Sequence, residues 1–367
     1  MKHIVFAHRK LSFGGGERVL IEQVAALAEL PVKISILFRK EPGKRDIEQE
    51  LRARNPNVDA ILHLPGALGT FRWLKRMRPD LLVLCNHKGV QHALPWLARF
   101  GTRIPTVLTL HEHYERHLRK YRGVSELVDR WICTYDFTDA VRKHLGPAPC
   151  SIIHPLYPRP ETLPITAEER RAARRALGLP ETGRVVGYVG QIDGRKDPAA
   201  ALQLAEALGE VDLLFAGREE ADTARALDVR LAASPLRNRT RRLGAQPDLG
   251  PAFRALDLYL LTSRNEGFFP LALIEAMECG VPVLAPTVGG IGSVLKDGEG
   301  GFLIRKPDDR LSIPRPLIEA AAARLAPLLA DAPGWEAQRV KAHAFATALT
   351  KGYDAAGKFR EAVAEWL

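Results

Sequence analysis

Cysteine is scarce in this chain: four residues in 367, none at CxxC spacing. That excludes a disulfide-stapled scaffold and a structural zinc site. Three of the four lie in apolar or strand-like runs, where the thiol behaves as a small hydrophobe, so a reducing compartment is expected. No apolar segment approaches the roughly 18 residues a membrane-spanning helix needs. The first residues, Met1-Lys2-His3-Ile4-Val5-Phe6, enter an apolar run at once. No secretory leader and a cytoplasmic location are therefore the expectation. The GxGxxG fingerprint of nucleotide-dependent oxidoreductases is missing. So are the aromatic-and-basic ribonucleoprotein motif and any zinc-finger spacing, which leaves nucleic-acid binding with charge alone behind it. Low-complexity stretches and sequence repeats are absent too.

What is present is a globular composition, 46% hydrophobic and 26% charged, with a net charge of +10. A surplus of that size attracts anions: nucleotides, nucleic acid or acidic lipid headgroups. Much of it is scattered arginine on helical patterns, such as Arg170, Arg171, Arg174 and Arg175, expected to lie on solvated faces. The length calls for two domains. Short continuous apolar runs alternate with helical patterns throughout. In the first half they fall at 4–7, 34–38, 61–64, 81–85, 106–110, 131–134 and 152–153. In the second half they fall at 185–189, 213–216, 241–243, 258–262, 283–285 and 302–304. Continuous rather than alternating apolarity marks strands buried on both faces, hence parallel sheets covered by helices. Residues 16–29 show the matching helical stripe, with Val19, Leu20, Val24, Leu27 and Ala28 on one side.

Between the halves, Pro155, Pro158, Pro160 and Pro164 stand within eleven residues, a density no helix or central strand tolerates. This is the expected linker, giving domains 1–157 and 158–351 with a cleft between them. Thr166-Ala167-Glu168-Glu169 after it has the form of a capping box, opening a helix that ends at Gly178. The tail from 316 onward is mostly helical.

Residues 257–303 organise the chain. An apolar run is broken at Glu266-Gly267-Phe268, and Pro270 suits a first helical position. A helix from Leu271 stops at Gly280, and a second run at 283–285 leads to Gly289-Gly290. A helix N-terminus above the end of a buried strand holds anionic groups, phosphates above all. Glu266 and Glu275 would frame that spot, and carboxylates beside a phosphate site usually grip hydroxyls. A ligand with phosphate and sugar parts follows. Two further loops share this grammar. Gly14-Gly15-Gly16-Glu17-Arg18 follows the first strand and opens the first helix, its glycines allowing backbone amides close to a ligand. Val189-Gly190-Gln191-Ile192-Asp193-Gly194-Arg195-Lys196 follows the first strand of the second half, where Arg195 and Lys196 are placed to neutralise a diphosphate. His111-Glu112-His113 ends another strand and offers an acid, a base or a hydroxyl partner. Metal ligation there lacks a further ligand at a supporting spacing. His87 and His92 follow a strand without a defined role. Phe71-Arg72-Trp73-Leu74-Lys75-Arg76-Met77-Arg78 interleaves cations with apolar residues. That pattern suits a helix packed on the sheet with its cations outward, or one lying on an acidic membrane surface.

Taken together, these stretches resemble family 4 of the GT-B-fold glycosyltransferases, in order and over nearly the whole chain. The Gly14-Gly15-Gly16-Glu17-Arg18 turn, the strand-end His111, the Gly190–Lys196 loop and above all residues 255–290 carry the likeness. The resemblance implies two Rossmann-like domains facing across a cleft, with a C-terminal helix near 352–367 packing back on the first. It also implies a retaining transferase, needing neither metal nor cofactor, that moves a sugar from a nucleoside-diphosphate sugar to a hydroxyl. Glycan, lipid-linked and small-molecule acceptors stay open. By position, Lys196 would bind the diphosphate and stabilise the leaving group, Glu266 the hydroxyls of the transferred sugar, and Glu275 the ribose. Amides of Gly15, Gly16, Gly267, Phe268, Phe269, Pro270 and Leu271 frame the phosphates and sugar, with proline supplying no N–H. His111 would line the sugar and acceptor pocket, and Gly289-Gly290 would allow close packing at the donor.

The sequence also departs from the family pattern. Gln191 stands where an arginine is usual, with Arg195 four residues on. Eight residues instead of seven separate Glu266 from Glu275. Gly292-Ser293 stands where a glutamate normally follows the glycine pair, and Ile153-His154-Pro155-Leu156 replaces Ile-Pro-Asn-Gly. Gln191 and the longer spacing motivate an alternative, a nucleotide-sugar-binding protein without turnover. The charge adds peripheral contact with an acidic membrane as an expected partner surface.

Overall fold

The computed structural model of the chain describes its residues except 11–14, 41–45, 86, 112–117, 157–164, 247, 267–269 and 308–310, together with the side chains of 10, 15, 40 and 46. The chain divides into two units, Met1–Tyr157 with Gly352–Leu367, and Pro158–Lys351. The proline-rich segment lies mostly outside the described residues.

Among the described residues unit 1 is a parallel sheet of seven strands: β1 (Lys2–Lys10), β2 (Val32–Lys40), β3 (Val58–His63), β4 (Leu81–Cys85), β5 (Thr106–Leu110), β6 (Arg130–Cys133) and β7 (Cys150–Ile152). Their order is β3-β2-β1-β4-β5-β6-β7. The helices are α1 (Gly15–Ala25), α2 (Asp46–Arg54), α3 (Ala67–Met77), α4 (Lys88–Arg99) and α5 (Thr138–Leu145), with a 3-10 helix at Arg119–Leu127. The period of two along β1 shows why its run is continuously apolar. Ile4 and Phe6 enter one core with Leu20 and Val24 of α1 and Leu27 of the turn after it, while Val5 and Ala7 enter another with Leu74, Val90 and Leu94 of α3 and α4. α1 ends at Ala25, short of the helix expected to residue 29, and a turn follows.

Unit 2 runs α6 (Ala167–Leu177), β8 (Arg184–Val189), α7 (Pro198–Leu208), β9 (Val211–Ala216), α8 (Ala221–Ala232), β10 (Thr240–Arg242), α9 (Gly250–Ala255), β11 (Leu258–Leu260), α10 (Leu271–Glu278), β12 (Val283–Pro286), α11 (Ile291–Val294), β13 (Gly301–Ile304), α12 (Arg315–Ala330) and α13 (Ala332–Thr350). Its six described strands are parallel, in the order β10-β9-β8-β11-β12-β13. α6 opens on the expected capping box. The Thr166 hydroxyl accepts from the Glu169 amide at 3.2 Å, the Thr166 amide donates to Glu169 at 2.7 Å, and Gly178 closes the helix at φ +66°.

The same helix corrects the expectation of a solvated arginine face. Arg170 and Arg174 are buried. They donate to the two oxygens of buried Asp257, at 3.1 and 2.6 Å, and Asp257 also accepts from the Val185 amide at 2.8 Å. Residues four apart share a helix face, so this pair turns inward together. Arg171 and Arg175 turn outward, to Glu168 and Glu181. Asp257 thereby ties α6 to the start of β8 and β11.

The last helix, α14 (Ala355–Val363), belongs to unit 1. Ala355, Phe359, Ala362 and Val363 pack with Ile4 and Phe6. Arg360 donates to the Ala26 carbonyl, and Tyr353 accepts from the His154 amide.

Candidate functional site

In each unit the strand order reverses once, between β1 and β4 and between β8 and β11. Connections on either side of such a point leave to opposite faces, so the carboxyl ends of those strands open a crevice. The candidate residues gather there.

In unit 2, the loop after β8 approaches the turn after β9 so closely that both need glycine. A Cβ on Gly217 would stand 1.8 Å from the Gly190 carbonyl oxygen, and both residues have positive φ, 142° and 147°. Exposed Gln191 accepts through its carbonyl from the Tyr188 hydroxyl at 2.9 Å. From there the loop reaches Lys196, whose ammonium is bonded to the Glu266 carboxylate. Arg195 lies 3.5 Å from the other oxygen of Glu266 and donates to the Asn265 carbonyl at 3.3 Å. Burial by itself would raise the Glu266 carboxyl, but Lys196 and Arg195 outweigh it and hold the group below its usual range. Glu266 is therefore a buried anion carrying two cations.

That geometry rests on residues the sequence did not single out. The Thr262 hydroxyl donates to the carbonyls of Lys196 and Asp197, at 3.1 and 2.9 Å. The Arg264 amide donates to the Arg195 carbonyl at 2.8 Å. Asp197 is buried at φ +52°, a left-handed conformation uncommon outside glycine, and its carboxylate accepts from Arg264 and Ser312. The end of β11 thus fixes the loop that carries Lys196. Nothing local in sequence announces a contact across some sixty-five residues. Asp193 supplies the local part, accepting from the Lys196 amide at 2.9 Å.

Pro270 caps α10 at φ −61°, one position earlier than expected, with Leu271 the first helical residue. Glu275, half-buried on α10, and Glu266 both lie near Tyr259. Burial first, then these two charges, push the Tyr259 phenol well up, and its hydroxyl donates to the Val189 carbonyl. Both glutamates therefore act on the same buried ring of β11. Gly267, Phe268 and Phe269, with the extra residue of that turn, lie outside the described residues. Gly289, exposed at φ +56°, and Gly290, buried, follow β12, the neighbour of β11, and Gly290 caps α11.

In unit 1, a small cavity at the reversal is walled by His8, Gly16, Gln23, Cys85 and His111 above the apolar Phe6 and Val83. Gly15 and Gly16 are the first residues of α1, and the loop before them lies outside the described residues. A Cβ on Gly16 would be 3.8 Å from His8 Nε2, so that imidazole lies against the start of the helix. His111 Nε2 is buried with no hydrogen-bond partner among the described residues. Burial, then the fields of His8 and Lys120, lower its pKa to about 4, so it is neutral at pH 7. Glu112 and His113 lie outside the described residues. His8 was missed by sequence reasoning, although a histidine near the end of the first strand, ahead of a glycine turn, is a usable signal. The sequence leaves His87 and His92 without roles, and the structure separates them. His87 caps α4, its Nδ1 accepting from the Val90 amide at 3.2 Å, and His92 is exposed. Among the described residues no three His, Cys, Asp or Glu side chains are grouped to hold a metal ion. No described helix is long and apolar enough to cross a membrane.

Comparison with known proteins follows this division. Residues 13–157 match the family described as Glycosyltransferase Family 4, and residues 169–313 match Glycosyl transferases group 1. D-inositol 3-phosphate glycosyltransferases of Mycobacterium tuberculosis and Mycobacterium bovis are 33% identical over 247 residues, covering 60% of this chain and 50% of theirs. The chain thus spans about half the length of the curated relatives it matches. Among solved structures, Anabaena HepE in complex with UDP-glucose aligns over 100% of this chain and 99% of its own, with a TM-score of 0.76 at 19% identity. Sucrose-phosphate synthase from Thermosynechococcus elongatus aligns over the same shares, with a TM-score of 0.75 at 19% identity. At that identity the likeness is one of fold.

Proposed function

Because this chain belongs to the family 4 type of GT-B glycosyltransferases, we propose that it transfers a sugar from a nucleoside-diphosphate sugar to an acceptor hydroxyl, with retention at the anomeric carbon and without a metal. The observation that carries the reading is the meeting of Lys196 and Arg195 with Glu266 at the strand reversal of unit 2. A diphosphate leaving group needs positive charge, and a sugar needs hydroxyl acceptors. This cluster holds both within one ion-paired set. The complex of Anabaena HepE with UDP-glucose supports a nucleotide-sugar donor.

In the free protein Glu266 neutralises Lys196. An arriving diphosphate takes over Lys196 and Arg195, and Glu266 turns its oxygens to the sugar. The bond between the anomeric carbon and the phosphate oxygen breaks, the nucleoside diphosphate leaves with the electron pair, the acceptor oxygen bonds to that carbon, and the hydroxyl proton passes to the departing phosphate oxygen. Lys196 meets the charge that develops on the departing phosphate, where a fixed cation is worth most. Glu275 accepts from the ribose, and Gly289-Gly290 gives the donor close approach. In unit 1 neutral His111, with its Nε2 buried and unpartnered among the described residues, offers a hydrogen-bond acceptor to an acceptor hydroxyl.

The test is release of nucleoside diphosphate from a panel of UDP-, GDP- and ADP-sugars, with glycan, inositol phosphate and lipid-linked acceptors, alongside thermal stabilisation by each nucleotide. Transfer from one donor, lowered at least about 100-fold in Lys196→Ala, is the expected result. Tight donor binding with no release from any pair would leave the sugar-binding protein that Gln191 suggests.

A further inference from the structure

Unit 1 carries a second feature that sugar transfer does not use, on the face formed by α3 and α4. Between residues 60 and 111 the chain holds seven Lys and Arg against a single carboxylate, Asp80. That carboxylate is engaged by Lys2 and the His3 amide. Of the seven cations, Arg103 is paired with Asp129. Arg72, Lys75, Arg76, Arg78, Lys88 and Arg99 are exposed, and no ion pair involves them among the described residues.

Apolar groups stand among these cations. Leu68, Trp96 and Phe100 are 61%, 62% and 56% exposed. Trp96 and Phe100 are the exposed large aromatics among the described residues. Helical spacing groups them: Lys88, His92, Trp96, Arg99 and Phe100 share the outer side of α4, and Leu68, Arg72, Lys75 and Arg76 that of α3. Phe71 on α3 meets Phe100 at 6.0 Å between ring centres, which joins the two helices, and Lys75 lies over both rings at 5.7 and 5.4 Å. The inner sides, with Leu74, Val90, Leu94 and Leu97, fill the core. Sheet packing therefore accounts for one side of each helix and leaves the other exposed among the described residues.

We propose that this face docks the protein on an anionic bilayer surface, with Leu68, Trp96 and Phe100 entering the headgroup region and the surrounding cations on lipid phosphates. Indole and phenyl rings settle at the membrane interface, and each surface cation adds attraction to acidic lipid. Nucleic acid is the lesser match, since exposed aliphatic Leu68 offers a base neither a ring to stack on nor a hydrogen bond, whereas a headgroup region admits it. Docking would present unit 1 to an acceptor carried by the membrane. The inference stands apart from the sugar-transfer reading, because it predicts vesicle binding whether or not a donor is turned over.

The experiment is flotation of the full chain with phosphatidylglycerol-containing vesicles and with pure phosphatidylcholine vesicles, at low and high salt. Tryptophan quenching by brominated lipid is measured in parallel. Wild type should float with the acidic vesicles at low salt and be quenched. Arg72→Glu/Arg76→Glu/Arg99→Glu should lower partitioning by more than about tenfold. Arg230→Glu/Arg237→Glu/Lys341→Glu makes the same charge change at exposed sites of unit 2 and should leave partitioning within about twofold. Trp96→Phe should lose quenching yet still float. Circular dichroism melts confirm that each variant is folded. Failure of wild type to float at any salt overturns the proposal. So does equal loss in both triple variants, which would assign binding to net charge alone. Binding of RNA with no binding of acidic vesicles overturns it as well.

Discussion

At the scale of single residues, the ion pair between Lys196 and Glu266 makes two substitutions at one site behave oppositely. Lys196→Ala removes the cation proposed to meet the departing diphosphate, so kcat/KM should fall by about 100- to 1000-fold, and because Glu266 stays buried with Arg195 alone the melting temperature should fall as well. Glu266→Gln removes the carboxylate that competes for Lys196. Nucleoside diphosphate should then bind roughly tenfold tighter by calorimetry while sugar transfer falls. Weaker diphosphate binding in Glu266→Gln would sink the picture of Glu266 as an exchanged partner.

At the scale of elements, the decisive contacts join segments distant in sequence. Thr262→Val keeps shape and burial but withdraws the hydroxyl from the carbonyls of Lys196 and Asp197. Stability should drop by about 1–2 kcal/mol and donor affinity should weaken although Lys196 is intact, read by urea melts and calorimetry. Asp257→Ala leaves Arg170 and Arg174 buried without their anion, and a loss of about 3–5 kcal/mol is expected in the same melts. The capping box at Thr166 and the end of α6 at Gly178 were legible because each depends on residues within a few positions. The inward turn of Arg170 and Arg174 was not, since helical spacing says which residues share a face and not which face meets the sheet. Lys196, Glu266 and His111 were visible as residues after strands. Their partners were not, because Thr262 and Asp197 acquire meaning only from strand order.

At the scale of the whole molecule, acid should destabilise the fold. Burial lowers His87 and His111 to about 4, against 6.5 for the ordinary group. Between those values the unfolded chain binds more protons, so stability falls as pH drops from about 6.5 toward 4 and levels off below. The slope is at most about 1.4 kcal/mol per pH unit for each histidine. His87→Asn keeps a capping side chain and removes one titrating group, so the pH dependence of melting should flatten by about half. Removal of residues 352–367 strips Phe359 and Val363 from the core around Phe6, and unit 1 should lose about 3–6 kcal/mol, measured as earlier proteolysis of that unit.

Composition and pattern alone determined two parallel α/β sheets, the glycine-marked strand ends and the residue types of the proposed phosphate-and-sugar site, since these follow from periodicities of two and 3.6 and from local turn chemistry. The tertiary structure alone decided that Lys196, Arg195 and Glu266 form one charged cluster, that Arg170, Arg174 and Asp257 lock the start of β8 and β11, and that Trp96 and Phe100 stay outside. Each of these depends on which strands become neighbours. Burial then turns a neighbouring charge from a screened surface group into a strong partner.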